Sequence, residues 1–178
     1  MCHTRRRRFR FKKKDDPESP VVDRINRLAD EINSVLNTHQ KQKYFECTVL
    51  LYSFIENLLN SLLFVNSFWA ILGKPVEIRD REVRDMERYF QRLSFYNSVQ
   101  MALSTKLIDL ALYRKIEKAR RERNDVFHQL WLYEQRGNVS MLRNRLEALA
   151  EITNDLVTVL KRVNRKIGVP GVYMALLR

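Results

Sequence analysis

Glycine and proline are scarce in this chain, with four of each among 178 residues. All-β domains need frequent turns, so this shortage excludes a many-turned sandwich or barrel and favours long helices. Cysteine is nearly absent as well. Cys2 and Cys47 are too few and too far apart for a disulfide framework or a zinc-ligand spacing, so a reducing cytoplasmic setting is expected. No Gly-rich phosphate loop, Cys/His metal spacing or serine-hydrolase motif is present, and neither a metal nor a cofactor is expected. Clean apolar runs of membrane-spanning length are missing too. Residues 48–73 are long enough and rich in Leu, Phe, Val and Ile, but Glu56, Asn57, Asn60, Asn66 and several serines interrupt them. Each of these polar groups would be costly in hydrocarbon, so a buried central helix is expected rather than a span, and no membrane partner. Nor does an apolar core or a small-residue cleavage site follow the basic start, so no secretory leader is expected.

What the chain does carry is positive charge, unevenly spread. The formal net charge is +12, from 33 basic and 21 acidic residues. Eight of the basic residues, Arg5 to Arg8, Arg10 and Lys12 to Lys14, lie in residues 1–14, where there is no acid. The remainder is therefore only mildly cationic. Residues 1–19 read as a basic disordered arm ending in an Asp-Asp-Pro-Glu-Ser-Pro linker, and residues 20–178 as one domain with a real core. Such an arm attracts anionic partners of any kind, because attraction to phosphate needs no particular fold.

Beyond the arm the apolar positions recur at helical spacing, and no β-alternating run is found. Val22, Ile25, Leu28, Ala29, Ile32, Val35 and Leu36 mark a first helix that closes near Asn37. A second covers residues 43–72 and stops at Gly73-Lys74-Pro75. Residues 77–92 alternate acids and bases as a solvated helix face does, over an inner face of Val83, Met86, Tyr89, Phe90 and Leu93. That helix is expected to run to about Ala102 with a bend near Ser94. Ser104 and Thr105 suit the cap of another, starting near Lys106 and covering Leu107, Leu110, Ala111, Leu112, Ile116 and Ala119. Asn124 and Asp125 are also good caps, so a break and restart is expected there. After a turn at Gly137-Asn138, residues 140–166 carry a long stripe of Leu142, Leu146, Leu149, Ile152, Leu156, Val159, Leu160 and Val163. The fold class is all-α, an antiparallel bundle of four to six helices. Phe64, Phe68, Trp69, Tyr89, Phe90, Phe95 and Tyr96 are expected in its core rather than as an aromatic platform for bases.

One stretch gathers chemistry: Arg123-Asn124-Asp125-Val126-Phe127-His128. It joins a permanent cation, two short polar side chains and an imidazole within six residues. Residues five apart lie about 140° apart around an ideal helix, so Arg123 and His128 do not share a face of a continuous one. They converge if the helix restarts near Asn124, or if a second copy of the chain brings its own pair alongside.

This segment resembles the R-x(4–6)-H motif of the HEPN family, with a polar residue directly after the arginine. The layout around it is similar too: a long apolar helix carrying Glu56, an aromatic-rich helix, then the approach to Arg-Asn-x-x-x-His. The resemblance covers residues 22–165, although only the six-residue run is distinctive. It implies a helical bundle that forms a homodimer with the motifs facing each other, and RNA cleavage without metal in active members. His128, with a reference pKa near 6.5, would take the proton of a ribose 2′-OH. Arg123 would hold the phosphate with a bidentate fork and stabilise charge building on its oxygens. Asn124 and Asp125 would orient these groups, Glu56 would pair with Arg123, and Arg120 and Arg121 would guide RNA in. A toxin or defence role, with an antitoxin or regulatory protein as partner, follows from the same resemblance. In some toxin members a tyrosine stands two residues after the histidine as a modification target; here that position is Leu130, so this feature does not carry over.

Each of these residues also has a plainer reading. Arg123 bridging to Glu56 or Asp125, and His128 capping or packing beside Trp131, would be purely structural. Arg120 and Arg121 would then only solvate a helix face near its C-terminus. The alternatives to an RNase are a catalytically silent helical module binding nucleic acid or a partner protein, and a membrane-associated protein. His3 and His39 are assigned no role.

Overall fold

The computed structural model describes residues 20–37, 40–72, 80–128 and 139–167. They form six helices: α1 (Pro20–Leu36), α2 (Lys41–Leu72), α3 (Asp80–Gln91), α4 (Phe95–Ser104), α5 (Leu110–His128) and α6 (Val139–Ile167). No strand occurs among the described residues. The expected all-α bundle is the fold observed.

Helix α2 is the axis. Its 32 residues extend about 48 Å at 1.5 Å per residue, and it packs against α1, α3, α4 and α6. From Leu58 to Val65 every residue but Ser61 is buried, so this stretch is apolar around nearly its whole circumference. A helix with that pattern is stable in water only when neighbours cover all its sides. The segment Gln42–Ser67 is long and apolar enough to cross a membrane, and 61% of its most apolar window is buried inside the bundle. Helix α1 supplies Ala29, Ile32 and Val35, and α6 supplies the eight-residue stripe expected of it, every member buried.

Polar groups inside the bundle are met locally. Thr48 donates to the Tyr44 carbonyl at 2.7 Å and Thr153 to the Leu149 carbonyl at 2.9 Å. Between α2 and α4 the buried Ser98 hydroxyl donates to Asn60 Oδ1, with the Ser94 carbonyl a second acceptor at 3.1 Å. Cys47 is equally sealed. Burial, aided by Glu31 and Glu46, pushes its thiol up to about 11, so it stays protonated and unreactive at neutral pH.

The ends of α4 differ from expectation in ways that position α5. Rather than a bend there is a full break, with Ser94 in extended geometry (φ −66°, ψ 152°) accepting from Asn97 N–H at 3.3 Å as N-cap. At the other end Ser104 and Thr105 do not cap a new helix. Their hydroxyls donate back to the Met101 carbonyl at 3.0 and 2.8 Å, because α4 still runs to Ser104. Lys106 then takes the left-handed conformation (φ 55°). Lys106 N–H reaches the Leu103 carbonyl and Leu107 N–H the Ala102 carbonyl, both at 2.9 Å, which is a Schellman motif with lysine in the usual glycine place. Asp109 is the true cap of α5: its carboxylate accepts from Leu112 N–H at 2.8 Å. Leu107 and Ile108 are buried in the turn, whereas Leu110 and Ala111, in the first turn of α5, are exposed.

The aromatic assignments divide. Phe64, Phe90 and Phe95 are core, but Tyr89 and Tyr96 are 57% and 50% exposed. Helical phase explains this: Phe90 and Phe95 take the inward positions and turn their tyrosine neighbours outward. The side chains of Phe68 and Trp69 lie outside the described residues. On α3 the alternating charges form the expected solvated face, with Asp85 3.9 Å from Arg81 and 3.7 Å from Arg88.

Candidate functional site

The C-terminal half of α5 lies across α4 and reaches the middle of α2. Its sequence, from Ile116 to Asn124, places Ile116 and Ala119 in the core and sends arginines out on either side of that contact. The expected break at Asn124 does not occur. Helix α5 is continuous from Leu110 to His128. Asn and Asp inside a helix cost only a few tenths of a kcal/mol relative to good helix formers, too little to interrupt a helix anchored by tertiary contacts. Arg123 and His128 of one chain are therefore held about 140° apart around one axis.

Arg123 joins two helices of the bundle. Its Nη1 donates to Glu56 Oε2 at 2.9 Å, so α5 is tied to α2 across 67 residues of sequence. The guanidinium carbon stands 5.7 Å from the centre of the Phe95 ring, at the start of α4. Both members of the pair stay in reach of solvent, the arginine side chain at 28% and the glutamate at 23%. This is a pre-set cation at the rim of the bundle, neither sealed in the core nor loose in water.

One turn earlier a second arginine repeats the pattern. Arg120 Nε and Nη2 donate to the two oxygens of Glu117, each at 2.8 Å. Its guanidinium carbon lies 5.1 Å from the centre of the Tyr96 ring. Arg121 Nε reaches the same carboxylate at 3.2 Å, but its side chain is 75% exposed on the outer side of the helix. Arg120 holds the Glu117 carboxyl below the usual range by hydrogen bonding; burial works against this and Arg121 adds to it. The Arg120 guanidinium is correspondingly held in its charged form. The two RNA-contact candidates thus differ: Arg121 is presented to solvent, while Arg120 spends two donors on its own helix.

Helix α5 is fixed from its other side as well. Lys115 donates to Glu151 at 2.7 Å and to Asp155 at 2.9 Å on α6. Those two hydrogen bonds raise its ammonium above the ordinary lysine range. Arg145 of α6 lies 3.5 Å from Glu122, and Gln100 of α4 donates to the Tyr113 hydroxyl at 2.9 Å. Between α5 and α6 runs an open groove of about 330 Å³ floored by Ala119, Leu149 and Ile152.

Of the residues singled out from sequence, Glu56 and Arg123 are brought together, and Arg120 stands one turn from them. Asn124 is exposed. Asp125 and His128 belong to α5 by their backbone, and their side chains lie outside the described residues, as do Leu130 and Trp131. Among the described residues no cluster of three His, Cys, Asp or Glu side chains is placed to hold a metal ion. Three participants were missed: Glu117, Phe95 and Tyr96. The Glu117 clamp is legible as a carboxylate three and four residues before two arginines. The aromatic partners are not, because they follow from where α4 begins.

Comparison of the chain with known protein families, with curated proteins and with solved structures finds no match.

Proposed function

We propose that the protein is a HEPN-type endoribonuclease that cleaves RNA without a metal and acts as a homodimer. The observation that carries this reading is the Arg123–Glu56 pair, a guanidinium oriented by a carboxylate and an aromatic ring at a solvent-reaching rim, five residues before His128. Fixing a cation where charge will develop spares its reorganisation during the reaction. The continuity of α5 favours the dimeric form of the proposal. With Arg123 and His128 on different faces of one helix, a second copy is the way to bring a guanidinium and an imidazole to one phosphate.

In the reaction His128 accepts the proton of the ribose 2′-OH. The 2′-oxygen attacks the adjacent phosphorus, the bond from phosphorus to the 5′-oxygen breaks, and that oxygen takes up a proton from the second imidazole. The products are a 2′,3′-cyclic phosphate and a 5′-OH end. Arg123 stabilises the negative charge on the non-bridging oxygens, with Glu56 as its positioning residue. DNA lacks the nucleophile and is not a substrate.

The test is incubation of purified protein with single-stranded RNA in EDTA, beside Arg123→Ala and His128→Ala. Cleavage that survives EDTA and disappears in both variants is the expected result; equal cleavage by all three chains refutes it. A second reading draws on the same salt bridge. Arg123 and Arg120 each already own a carboxylate and a ring, which suits a silent module whose basic arm binds nucleic acid. Under that reading no chain cleaves, and deleting residues 1–14 lowers RNA affinity and its salt dependence.

A further inference from the structure

Tyr96, like Tyr89, stands apart from the buried aromatic residues. It sits in the first turn of α4, directly after the buried Phe95, yet half of its surface is open to solvent. An exposed tyrosine alone means little. This one, however, is paired with a guanidinium that cannot wander. Arg120 lies 5.1 Å from the ring centre and is clamped through two nitrogens by Glu117, itself only 8% exposed. The clamp takes the side-on fork of Arg120, its Nε and Nη2. With Arg120 over one face of the ring, what this pair would offer a flat ligand is the opposite face.

Its place relative to Arg123 gives that surface a meaning. Arg120 and Arg123 are one turn apart on the same side of α5, a rise of about 4.5 Å, and they cover the neighbouring rings of Tyr96 and Phe95. A π surface thus lies one step along the helix from a fixed cation, the order in which a base and an adjoining phosphate follow each other in a nucleic-acid strand. Unpaired bases stack on tyrosine whatever their identity, and a duplex offers no free face for this.

We infer that Tyr96, backed by Arg120, is the stacking platform for an unpaired base of a single-stranded RNA whose phosphate is held at Arg123. This rests on the nuclease reading for the identity of the strand, and it adds a substrate class: single-stranded in preference to double-stranded RNA, with little base preference at this position.

The experiment measures binding without cleavage. Full-length protein is titrated against a fluorescent single-stranded oligoribonucleotide, 2′-O-methylated throughout, in EDTA at one salt concentration. Wild type is compared with Tyr96→Phe, Tyr96→Leu and Tyr96→Ala, and urea midpoints confirm that each variant is folded. Tyr96→Phe binds within about two-fold of wild type, whereas Tyr96→Leu and Tyr96→Ala bind roughly ten-fold more weakly or worse. A double-stranded oligomer shows no dependence on Tyr96. Tyr96→Leu fills the same space without a π face, so a purely structural role would leave its affinity unchanged. Equal affinity for all four chains, or no binding by any, overturns the platform. The two readings fail separately. Cleavage of unmodified RNA with no Tyr96 effect on affinity sinks the platform alone; a Tyr96 effect on affinity with no cleavage by wild type sinks the nuclease alone.

Discussion

Replacing Glu117 by Gln removes one charge from the point on which Arg120 and Arg121 converge. The magnitude follows from exposure. The bond to Arg121 counts for little, because that side chain is 75% exposed and an ion pair in water contributes close to nothing. The bidentate pair with Arg120 is different, since its two side chains are only 19% and 11% exposed. A hydrogen bond to a charged group contributes about 1.5–3 kcal/mol, and glutamine keeps one acceptor oxygen, so we expect a loss of about 2 kcal/mol at pH 7. For a chain of this size that is a fall in Tm of about 4–8 °C. The pH dependence has a fixed sign. The Glu117 carboxyl is held below its ordinary value in the folded state, so its contribution is complete above the unfolded carboxylate pKa of about 4.3. It fades as pH falls through the depressed folded value. Urea titrations of both chains should therefore differ at pH 7 and converge in strong acid. A difference under about 0.5 kcal/mol at pH 7, or one that persists unchanged in acid, would refute the reasoning.

The remaining expectations concern the frame around the site. Lys106→Gly should stabilise the chain by about 0.5–1 kcal/mol, read as a raised urea midpoint, because lysine is strained at φ 55° and glycine is not. Ser98→Ala should cost about 1–3 kcal/mol by leaving the buried Asn60 oxygen without its donor; no change in midpoint would mean that water reaches the α2–α4 contact. Leu146→Ala, at a fully buried position of α6, should cost about 2–5 kcal/mol, and Leu110→Ala, 52% exposed, less than about 1 kcal/mol. A similar loss at both would contradict the assignment of inner and outer faces.

Much of the scaffold can be read from the order of residues. The α6 stripe and the charged face of α3 recur at helical spacing, the apolar run of α2 is continuous, and each is where the pattern puts it. The site is only partly legible. Glu56 and Arg123 stand out as a carboxylate on an apolar helix and a cation in a polar run, and they meet. Helix ends are harder, because Ser94, Ser104, Thr105, Asp109 and Asn124 are all acceptable caps and only tertiary packing selects among them. It selects Ser94 and Asp109, and it carries α5 straight through Asn124. That last choice keeps Arg123 and His128 on separate faces, and the choice of Ser94 brings Phe95 and Tyr96 beneath the arginines. Turning Tyr89 and Tyr96 outward is the same effect, a matter of helical phase that hydrophobicity alone does not reveal.

The chemistry of the cut ends tests the central claim most directly. Mass spectrometry of fragments released in EDTA should find a 2′,3′-cyclic phosphate on one side of each break and a 5′-hydroxyl on the other. A single 2′-deoxy substitution at the cleaved position should abolish that break. Fragments ending in 3′-hydroxyl and 5′-phosphate, or undiminished cutting at the deoxy position, would contradict attack by the ribose oxygen and with it the roles given to Arg123 and His128.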